Sequence, residues 1–186
     1  MNQGLQGLHV FQRSDADVDS QALREAIVLG TIEVGAPLRQ DHIASEFGVS
    51  HIPVREALRE LVTDGLAVFI QNRGVLVSEL SVDVARELTE YRCLLEGQMA
   101  RWAVPSISDL DIAEAKDILS RLDGETCIGE ILRLNTAFHA ALFRAANRPF
   151  FMKTIETVRT NLSRYWRVAW EELGHKPHLN GIIARS

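Results

Sequence analysis

The chain has 186 residues, of which 46% are apolar, so it is long enough to bury a hydrophobic core and to form one or two domains. Its longest unbroken apolar run is five residues, Leu66 to Ile70, which is too short for a membrane-spanning helix. The formal net charge of −5 argues against a protein that coats nucleic acid or membranes with its whole surface. Two cysteines, Cys93 and Cys127, are too few for a disulfide framework. We therefore expect a cytoplasmic protein whose two thiols are buried.

The sequence changes character twice along its length. Residues 1–19 mix glycines and aspartates with other polar residues, lack the pattern of a secretory signal, and are predicted to form a mobile leader. Residues 20–80 contain short apolar segments separated by glycines, whereas residues 81–186 have the periodicity of long amphipathic helices. Residues 1–80 carry six arginines, no lysine and eleven acidic residues, while basic and acidic residues balance in 81–186. We place a domain boundary at residue 80.

Residues 20–80 predict three helices followed by a β-hairpin. The first helix runs from Ser20 to Thr31, the second begins at Asp41 and ends before Gly48, and the third begins after Ser50. The third helix should bury a face with helical spacing, made of Val54, Ala57, Leu58, Leu61 and Val62. Two β-rich segments, 66–70 and 75–78, flank a turn at 71–74. This order of elements predicts a winged helix-turn-helix.

The third helix carries a basic stripe opposite its apolar face. His51, Arg55 and Arg59 are four residues apart, so they project from the same side. In a helix-turn-helix, the second of the two helices, which is the third helix of this chain, fits the major groove of DNA and presents its N-terminal residues to base edges. Arg73 lies at the tip of the hairpin, from which it could reach a phosphate or the minor groove. The alternative is a solvated helix face on which the neighbouring glutamates balance the arginines.

The same residues resemble the GntR family of bacterial transcription regulators. The segments that carry the resemblance are Leu23–Ile27, Leu38–Asp41, Phe47–Ser50, Pro53–Leu58, Asp64–Leu66 and Asn72–Gly74. The resemblance implies operator contacts at Ser50, Arg55 and the Arg73–Gly74 pair. The full predicted DNA-binding set is Arg39, Ser50, His51, Pro53, Arg55, Arg59, Arg73 and Gly74. The family usually has Arg-Thr-Pro after the serine, whereas this chain has His51-Ile52-Pro53, so we expect a different operator sequence or a weaker complex.

Residues 81–183 resemble the FCD domain, the all-helical effector domain of the FadR subgroup of that family. The segments that carry this resemblance are Leu88–Arg92 with Leu95–Glu96, Asn135–His139 and Ala145–Pro149. The fold class expected for the chain is therefore mainly α: an N-terminal winged helix-turn-helix followed by an antiparallel helical bundle.

Arg92 is the candidate effector-binding residue of the second half. A helix from Ser81 to Trp102 is predicted, with an apolar stripe of Val84, Leu88, Tyr91, Leu95, Met99 and Trp102. Arg92 borders this stripe, where its head could reach water or Glu96 one turn later. Alternatively, its guanidinium faces a cavity and clamps a carboxylate. The resemblance implies the second use, because FCD domains commonly bind small organic acids with an arginine at this position.

Asn135 and His139 are the candidate metal ligands. They lie one turn apart on the apolar face of a helix from about Cys127 to Asn147, although a buried histidine in such a place is also typical of a hydrogen-bonded core residue. The resemblance implies an aspartate and a histidine here, completed by two later histidines. Asn135 is a weaker ligand than a carboxylate. His178 is the candidate second histidine, with His175 as a competitor, and the third has no counterpart. Two readings stay open: a divalent metal of the Zn, Ni or Mn type, or an effector bound without metal.

A helix from Pro149 to Leu173 precedes the last residues of the sequence. Related domains continue with a further helix, so we expect a bundle that lacks it and that exposes an apolar face. The leading functional hypothesis is a homodimeric regulator that binds a palindromic DNA operator with an affinity set by a small organic acid. The alternatives are a regulator that depends on a longer partner to bind DNA and, remotely, a metal-dependent hydrolase built on Glu96, Asn135, His139 and a histidine near residue 178.

Overall fold

The computed structural model describes residues 20–173, which are mainly helical. Seven α-helices and one two-stranded sheet follow each other in chain order within this range. Their bounds are α1 Ser20–Val28, α2 Gln40–Phe47, α3 His51–Thr63, β1 Ala67–Ile70, β2 Gly74–Val77, α4 Val82–Ala103, α5 Asp109–Gly124, α6 Ile128–Phe143 and α7 Pro149–Leu173. Short 3-10 helices at 104–106 and 144–146 follow α4 and α6. His178, the predicted second metal-binding histidine, lies outside the described residues.

The first half packs α1, α2, α3 and the hairpin around one apolar core. Leu23, Ile43, Leu58, Leu61 and Leu66 are its largest fully buried side chains. The strands are antiparallel, and the turn between them returns the chain within three residues. A backbone hydrogen bond of 2.8 Å from the Leu38 amide to the Val75 carbonyl extends the hairpin on its other side. The predicted sequence of three helices and a hairpin is therefore present.

Several predicted bounds in this half were wrong by a few residues. Helix α1 ends at Val28 rather than Thr31, because Gly30 takes a left-handed conformation with φ of 75°. Helix α2 begins at Gln40, so Asp41 lies inside its first turn, where its negative charge favours the helix dipole, and Arg39 takes the position before the helix. Gly48 has the predicted positive φ, 67°, and separates α2 from α3.

The second half is built from two helix pairs. Helix α4 packs along α7, and α5 forms a helical hairpin with α6 because only three residues join them. Met99 and Ile155 are fully buried between α4 and α7, whereas Leu134 and Phe138 are buried against α5. Helix α5 starts with a capping box in which Ser108 and Asp111 bond to each other's backbone amide. Its individual bounds were not predicted.

Three expectations about this half need correction. Cys93 and Cys127 are both exposed, not buried, because Cys93 lies on the outer side of α4 and Cys127 precedes α6. Helix α6 ends at Phe143 rather than Asn147, which has a positive φ of 49° and ends the 3-10 turn. In the predicted α4 stripe, Val84 and Tyr91 are exposed, and only Leu95 and Met99 are buried.

Helix α7 connects the two halves through polar contacts. The Asn161 amide donates to the Asp64 carbonyl at 2.7 Å, and Arg164 donates to both the hydroxyl (2.8 Å) and the carbonyl oxygen of Ser78. The Ser81 amide donates to the Tyr165 hydroxyl at 3.3 Å. The bonds of Asn161 and Arg164 end on the residues that directly follow α3 and β2, whereas the bond of Tyr165 fixes the start of α4. The position of the DNA-binding half is therefore tied to α7.

Candidate functional site

The predicted DNA-binding residues lie together on one face of the first half. His51, Arg55 and Arg59 are exposed along α3, Arg39 and Ser50 are exposed beside its N-terminus, and Arg73 is exposed at the turn of the hairpin. Pro53 and Gly74 are half-buried, since Pro53 forms part of the first turn of α3 and Gly74 begins β2. No contact with DNA is part of this structure, so their assignment to the operator stays a prediction.

The N-terminus of α3 is positioned by the turn that precedes it. Gly48 supplies the left-handed residue of this turn, and Ser50 takes the extended conformation of an N-cap. The Ser50 side chain makes no capping hydrogen bond, so its hydroxyl is available to an external acceptor. The His51 Nε2 atom lies 3.6 Å from the Asp41 carboxylate, which connects α3 to α2. The helix therefore presents a polar, electropositive end to solvent.

Arg39, Arg55, Arg59 and Arg73, here called the recognition-face arginines, form no ion pair with any residue of 20–173. Arg24 in the same half is different, because its guanidinium lies 2.6 Å from the Asp64 carboxylate at the end of α3. The neighbouring glutamates on α3 therefore do not neutralise the basic stripe by direct pairing. Unpaired exposed guanidinium groups are suited to phosphate and guanine contacts.

A second cluster lies in the helical half and is called the Glu96 cluster: Arg92, Glu96, Asn135, His139 and Arg159. Its centre is an ion pair of 2.6 Å between Arg159 Nη1 and Glu96 Oε1. The second Glu96 oxygen lies 3.9 Å from Arg92 Nε, and the Arg92 guanidinium lies 5.4 Å from the centre of the Trp166 ring. Helices α4, α6 and α7 each contribute to the cluster. Arg92 thus contacts Glu96, as one reading of the sequence predicted, while it also faces a cleft.

Arg159 occupies the position next to the two candidate metal ligands. Its Nη2 atom donates to the Asn135 side-chain oxygen and, at 3.3 Å, to the Asn135 carbonyl. Its guanidinium is buried, and burial lowers its pKa, although pairing with Glu96 opposes that shift. The Asn135 oxygen that a metal ion would need is therefore already accepting a hydrogen bond from a cation.

His139 is held in its neutral form. Burial, together with the positive charges of Arg159 and Arg92, lowers the pKa of His139 to about 3. Glu96 lies 4.0 Å from His139 Nδ1, but its charge is engaged by Arg159 and does not hold a proton on the imidazole. The Phe138 and Phe143 rings pack within 5.6 Å of the His139 ring. The imidazole is thus enclosed by two guanidinium groups and two aromatic rings.

A small cleft opens beside the Glu96 cluster. It contains about 270 Å³ of empty space, including its open mouth. Its lining combines two guanidinium groups with hydroxyl, amide and apolar side chains: Arg92, Leu132, Asn135, Thr136, Arg159, Leu162, Ser163 and Trp166. Among residues 20–173, the Nε atoms of Arg92 and Arg159 are buried and have no hydrogen-bond partner. Two donors with unmet bonding capacity therefore line a small, partly open cleft.

The described residues do not fit a divalent metal ion. Within 20–173, no group of three His, Cys, Asp or Glu side chains has an arrangement that could hold one. The Asn135 oxygen and the Glu96 carboxylate are both bonded to Arg159, whose charge would repel a second cation. The Asn135 and Glu96 oxygens are thus occupied by Arg159, whereas the buried His139 Nδ1 atom has no hydrogen-bond partner among residues 20–173. The metal-binding role of Asn135 and His139 stays a prediction.

Arg159 and Trp166 are the residues that the sequence analysis missed. A signal was present, because Arg159 follows Ile155 by four residues and precedes Leu162 by three, which places it on the buried face of α7. A charged residue at a core position of an amphipathic helix indicates a buried partner of opposite charge. Glu96 is that partner, 63 residues earlier in the chain.

Both halves match known families. The FCD domain matches residues 87–181, about half of the chain, and the gntR family of bacterial regulatory proteins matches residues 20–77. The chain belongs to the GntR family and carries an FCD domain. Members of this family are transcription regulators, which confirms the expectation that the chain is not an enzyme and makes the hydrolase alternative wrong.

Two proteins that are similar to this chain are named as transcription regulators. The Nta operon transcriptional regulator of Aminobacter aminovorans is 29% identical over 150 residues, which are 78% of this chain and 71% of that protein. The regulator McbR of Escherichia coli is 28% identical over 137 residues, which are 72% of this chain and 62% of McbR, so this chain aligns with less than two thirds of that relative.

Solved structures of the family confirm the fold. The structure of E. coli McbR/YncC superposes with a TM-score of 0.70 at 23% identity, covering 92% of this chain and 77% of that chain. A putative GntR transcriptional regulator from Rhodococcus sp. RHA1 gives a TM-score of 0.62 at 26% identity, covering 80% and 72%. The mainly α fold with a helix-turn-helix and a C-terminal helical domain is therefore confirmed. Among the described residues, no helix is both long and apolar enough to cross a bilayer.

Proposed function

We propose that this GntR-family protein binds a palindromic DNA operator as a homodimer, and that a small organic acid bound at Arg92 changes its affinity for that operator. The observation that carries the DNA-binding half of the proposal is the recognition face: four exposed arginines, unpaired within 20–173, beside the open N-terminus of α3. A regulator of this kind acts in the cytoplasm, where the operator is.

The effector half of the proposal rests on the cleft. Arg92 lies at its edge with a buried, unpartnered Nε atom and with its guanidinium over Trp166, so a carboxylate that enters the cleft can accept from Arg92 without breaking an existing Nε bond. The affinity for a small acid arises from this charge-assisted bond and from the exclusion of water by the apolar lining.

Helix α7 supplies the connection that regulation requires. Arg159, Ser163 and Trp166 line the cleft, while Asn161 and Arg164 on the same helix bond to Asp64 and Ser78 in the DNA-binding half. A ligand that shifts or stiffens α7 therefore changes the orientation of α3 with respect to the dimer partner. Because linkage is reciprocal, operator binding must change the affinity for the acid by the same factor.

The experiment is a selection of binding sites from genomic fragments with the purified chain. We expect enrichment of a palindrome, bound with an affinity that falls at least tenfold for Arg55→Ala, since one base contact is worth about 1–3 kcal/mol in each half-site. Arg101→Ala, which removes an equally exposed arginine near the end of α4, is the matched control and should retain binding.

Three outcomes separate the proposal from its alternatives. Enrichment of a palindrome with loss on Arg55→Ala supports it. Enrichment that Arg55→Ala leaves intact contradicts the recognition face. A folded chain that enriches no sequence even at low salt overturns DNA binding by the homodimer and favours a regulator that needs a longer partner chain.

A further inference from the structure

Arg159 lies where a ligand-bound cation would lie. It contacts three groups that each favour positive charge: the Glu96 carboxylate at 2.6 Å, the Asn135 side-chain oxygen and the Asn135 carbonyl at 3.3 Å. These groups come from α4 and α6, whereas Arg159 comes from α7, so the guanidinium joins the three helices. A buried carboxylate without such a partner would destabilise the fold by several kcal/mol.

The charges of the Glu96 cluster add to one net positive charge. The cluster holds two guanidinium groups, one carboxylate and a neutral imidazole, and all four side chains are less than 20% exposed. A divalent ion placed among them would raise the buried net charge from one to three. Because like charges repel strongly where water is excluded, this would be unfavourable. A monoanion would neutralise the cluster. The electrostatic preference of the site is therefore for one negative charge.

We infer that Arg159 takes the place of a metal ion in this helical domain, and that Arg92 and Arg159 together form a metal-free site for a small monocarboxylate. This inference deepens the proposed effector site at Arg92 and rests on it. Unlike the proposed function, it assigns Arg159 as a second binding residue, specifies a ligand with one negative charge, and requires no metal.

The unmet donors of the cleft support the choice of ligand. The Nε–H groups of both arginines are buried without an acceptor, and a carboxylate brings two oxygens that can each accept from one guanidinium. Leu162 and Leu132 on the cleft wall favour a short apolar tail next to the carboxylate. Thr136 and Ser163 donate to the carbonyls of Leu132 (3.0 Å) and Arg159 (2.9 Å), so their hydroxyl protons are used within α6 and α7. The two arginines are therefore the charged donors for an anion in the cleft, beside the neutral N–H donors of Asn135 and Trp166.

The metal half of the inference is tested without DNA and without an effector. The full chain is stripped with a chelator, incubated with Zn²⁺, Ni²⁺ or Mn²⁺, desalted, and analysed for bound metal. The wild-type chain should retain less than stoichiometric metal and should show no metal-induced rise in Tm. About one ion per chain that is lost on His139→Ala would overturn the inference and would leave the DNA-binding proposal untouched.

A double variant gives the complementary result. Asn135→Asp with Arg159→Met removes the guanidinium and supplies a second carboxylate next to Glu96 and His139, so this variant should take up about one ion per chain. Asn135→Asp alone should not, because Arg159 then pairs with both carboxylates. If circular dichroism shows that the double variant folds and it still binds no metal, Arg159 is not what excludes the ion and the inference fails.

The anion half is tested with acetate and propanoate as probes, against succinate at equal ionic strength. Tryptophan fluorescence is the readout, because Arg92 stacks on Trp166. The monocarboxylates should bind more tightly than the dianion, and their affinity should fall about tenfold in Arg159→Met, the effect of one charge-assisted hydrogen bond. Arg159→Lys, which keeps the charge, should retain part of that affinity.

Each outcome of the anion titration either supports or overturns the inferred carboxylate site. No saturable response to either monocarboxylate in the folded wild-type chain, or equal affinity in wild type and Arg159→Met, overturns the site. Saturable binding that Arg159→Met loses while its circular dichroism spectrum matches that of the wild-type chain supports the inference. If the chain binds no operator but passes both tests, only the proposed function has failed.

Discussion

The arginines of the two halves are used in opposite ways. The recognition-face arginines project into solvent and pair with no residue of 20–173, whereas Arg92, Arg159 and Arg164 are largely buried and each contacts a residue outside its own helix. An exposed guanidinium contributes little to folding and is available to an external anion. A buried guanidinium fixes the positions of the helices around it. The arginines of the first half are therefore available to an external anion, whereas those of the second half fix an arrangement of helices that a ligand can shift.

The largest effect should follow from removing the carboxylate of the Glu96 cluster. Glu96→Gln keeps the shape of the side chain but leaves two buried guanidinium groups without a counter-charge, so we expect the free energy of unfolding to fall by about 3 kcal/mol. Chemical denaturation measures this loss. Asp83→Asn, which breaks an exposed pair of 3.1 Å with Arg86 on the same helix, is the matched control and should have little effect. Equal losses in the two variants would contradict the difference between buried and exposed arginines.

A smaller effect should follow from cutting the connection between the halves. Arg164→Ala removes two hydrogen bonds to Ser78 that a buried guanidinium makes, at a cost of about 2 kcal/mol. Because these bonds lie at the interface, calorimetry should show one unfolding transition in the wild-type chain and two in the variant. Lys153→Ala changes an exposed cation of the same helix and should keep a single transition. A single, lowered transition in Arg164→Ala would mean that other contacts carry the coupling.

The domain order and the recognition helix could be predicted because their signals are local. The buried positions of α3 recur with helical spacing, Gly48 and Pro53 mark the turn and the first turn of the helix, and Asn72 with Gly74 marks the hairpin, both with positive φ. Each of these features is decided within about ten residues of chain. The exposed side of α3 could therefore be assigned as well, since it is the side left over when the apolar face is buried.

The Glu96 cluster could be predicted only in part because its partners are distant in sequence. Arg92 and Glu96 are one helical turn apart, and so are Asn135 and His139. The sequence therefore predicted that the members of each pair lie close together. The residue that decides their chemistry, Arg159, comes from a third helix, and no local pattern shows which groups it meets. The exposure of Cys93 and Tyr91 has the same origin, because the side of α4 that packs is set by the position of α7.

The pH dependence of stability should report on the enclosed imidazole. The unfolded chain binds a proton at His139 below about pH 6.5, whereas the folded chain has a His139 pKa of about 3 and stays neutral. The stability that this histidine contributes is therefore complete above pH 6.5 and is lost as the pH falls toward 3. Between about pH 7 and about pH 5.5 the loss is roughly 1 kcal/mol. In His139→Gln, the denaturation midpoints measured at these two pH values should lie closer together than in the wild-type chain. An equally steep dependence of stability on pH in that variant would contradict the buried, neutral histidine.

The smallest effect should separate two of the exposed arginines from each other. In the proposed complex Arg55 on α3 would face base edges, whereas Arg73, which is exposed at the hairpin turn, would reach a phosphate or the minor groove. Arg73→Ala should therefore weaken binding to the selected operator and to unrelated DNA by similar factors, and should reduce the slope of log affinity against log salt by about 1 per protomer. Arg55→Ala should instead reduce the preference for the operator over unrelated DNA. Fluorescence anisotropy at several salt concentrations measures both quantities. If Arg73→Ala erodes the operator preference as strongly as Arg55→Ala does, the hairpin reads sequence, and the recognition face is wider than α3.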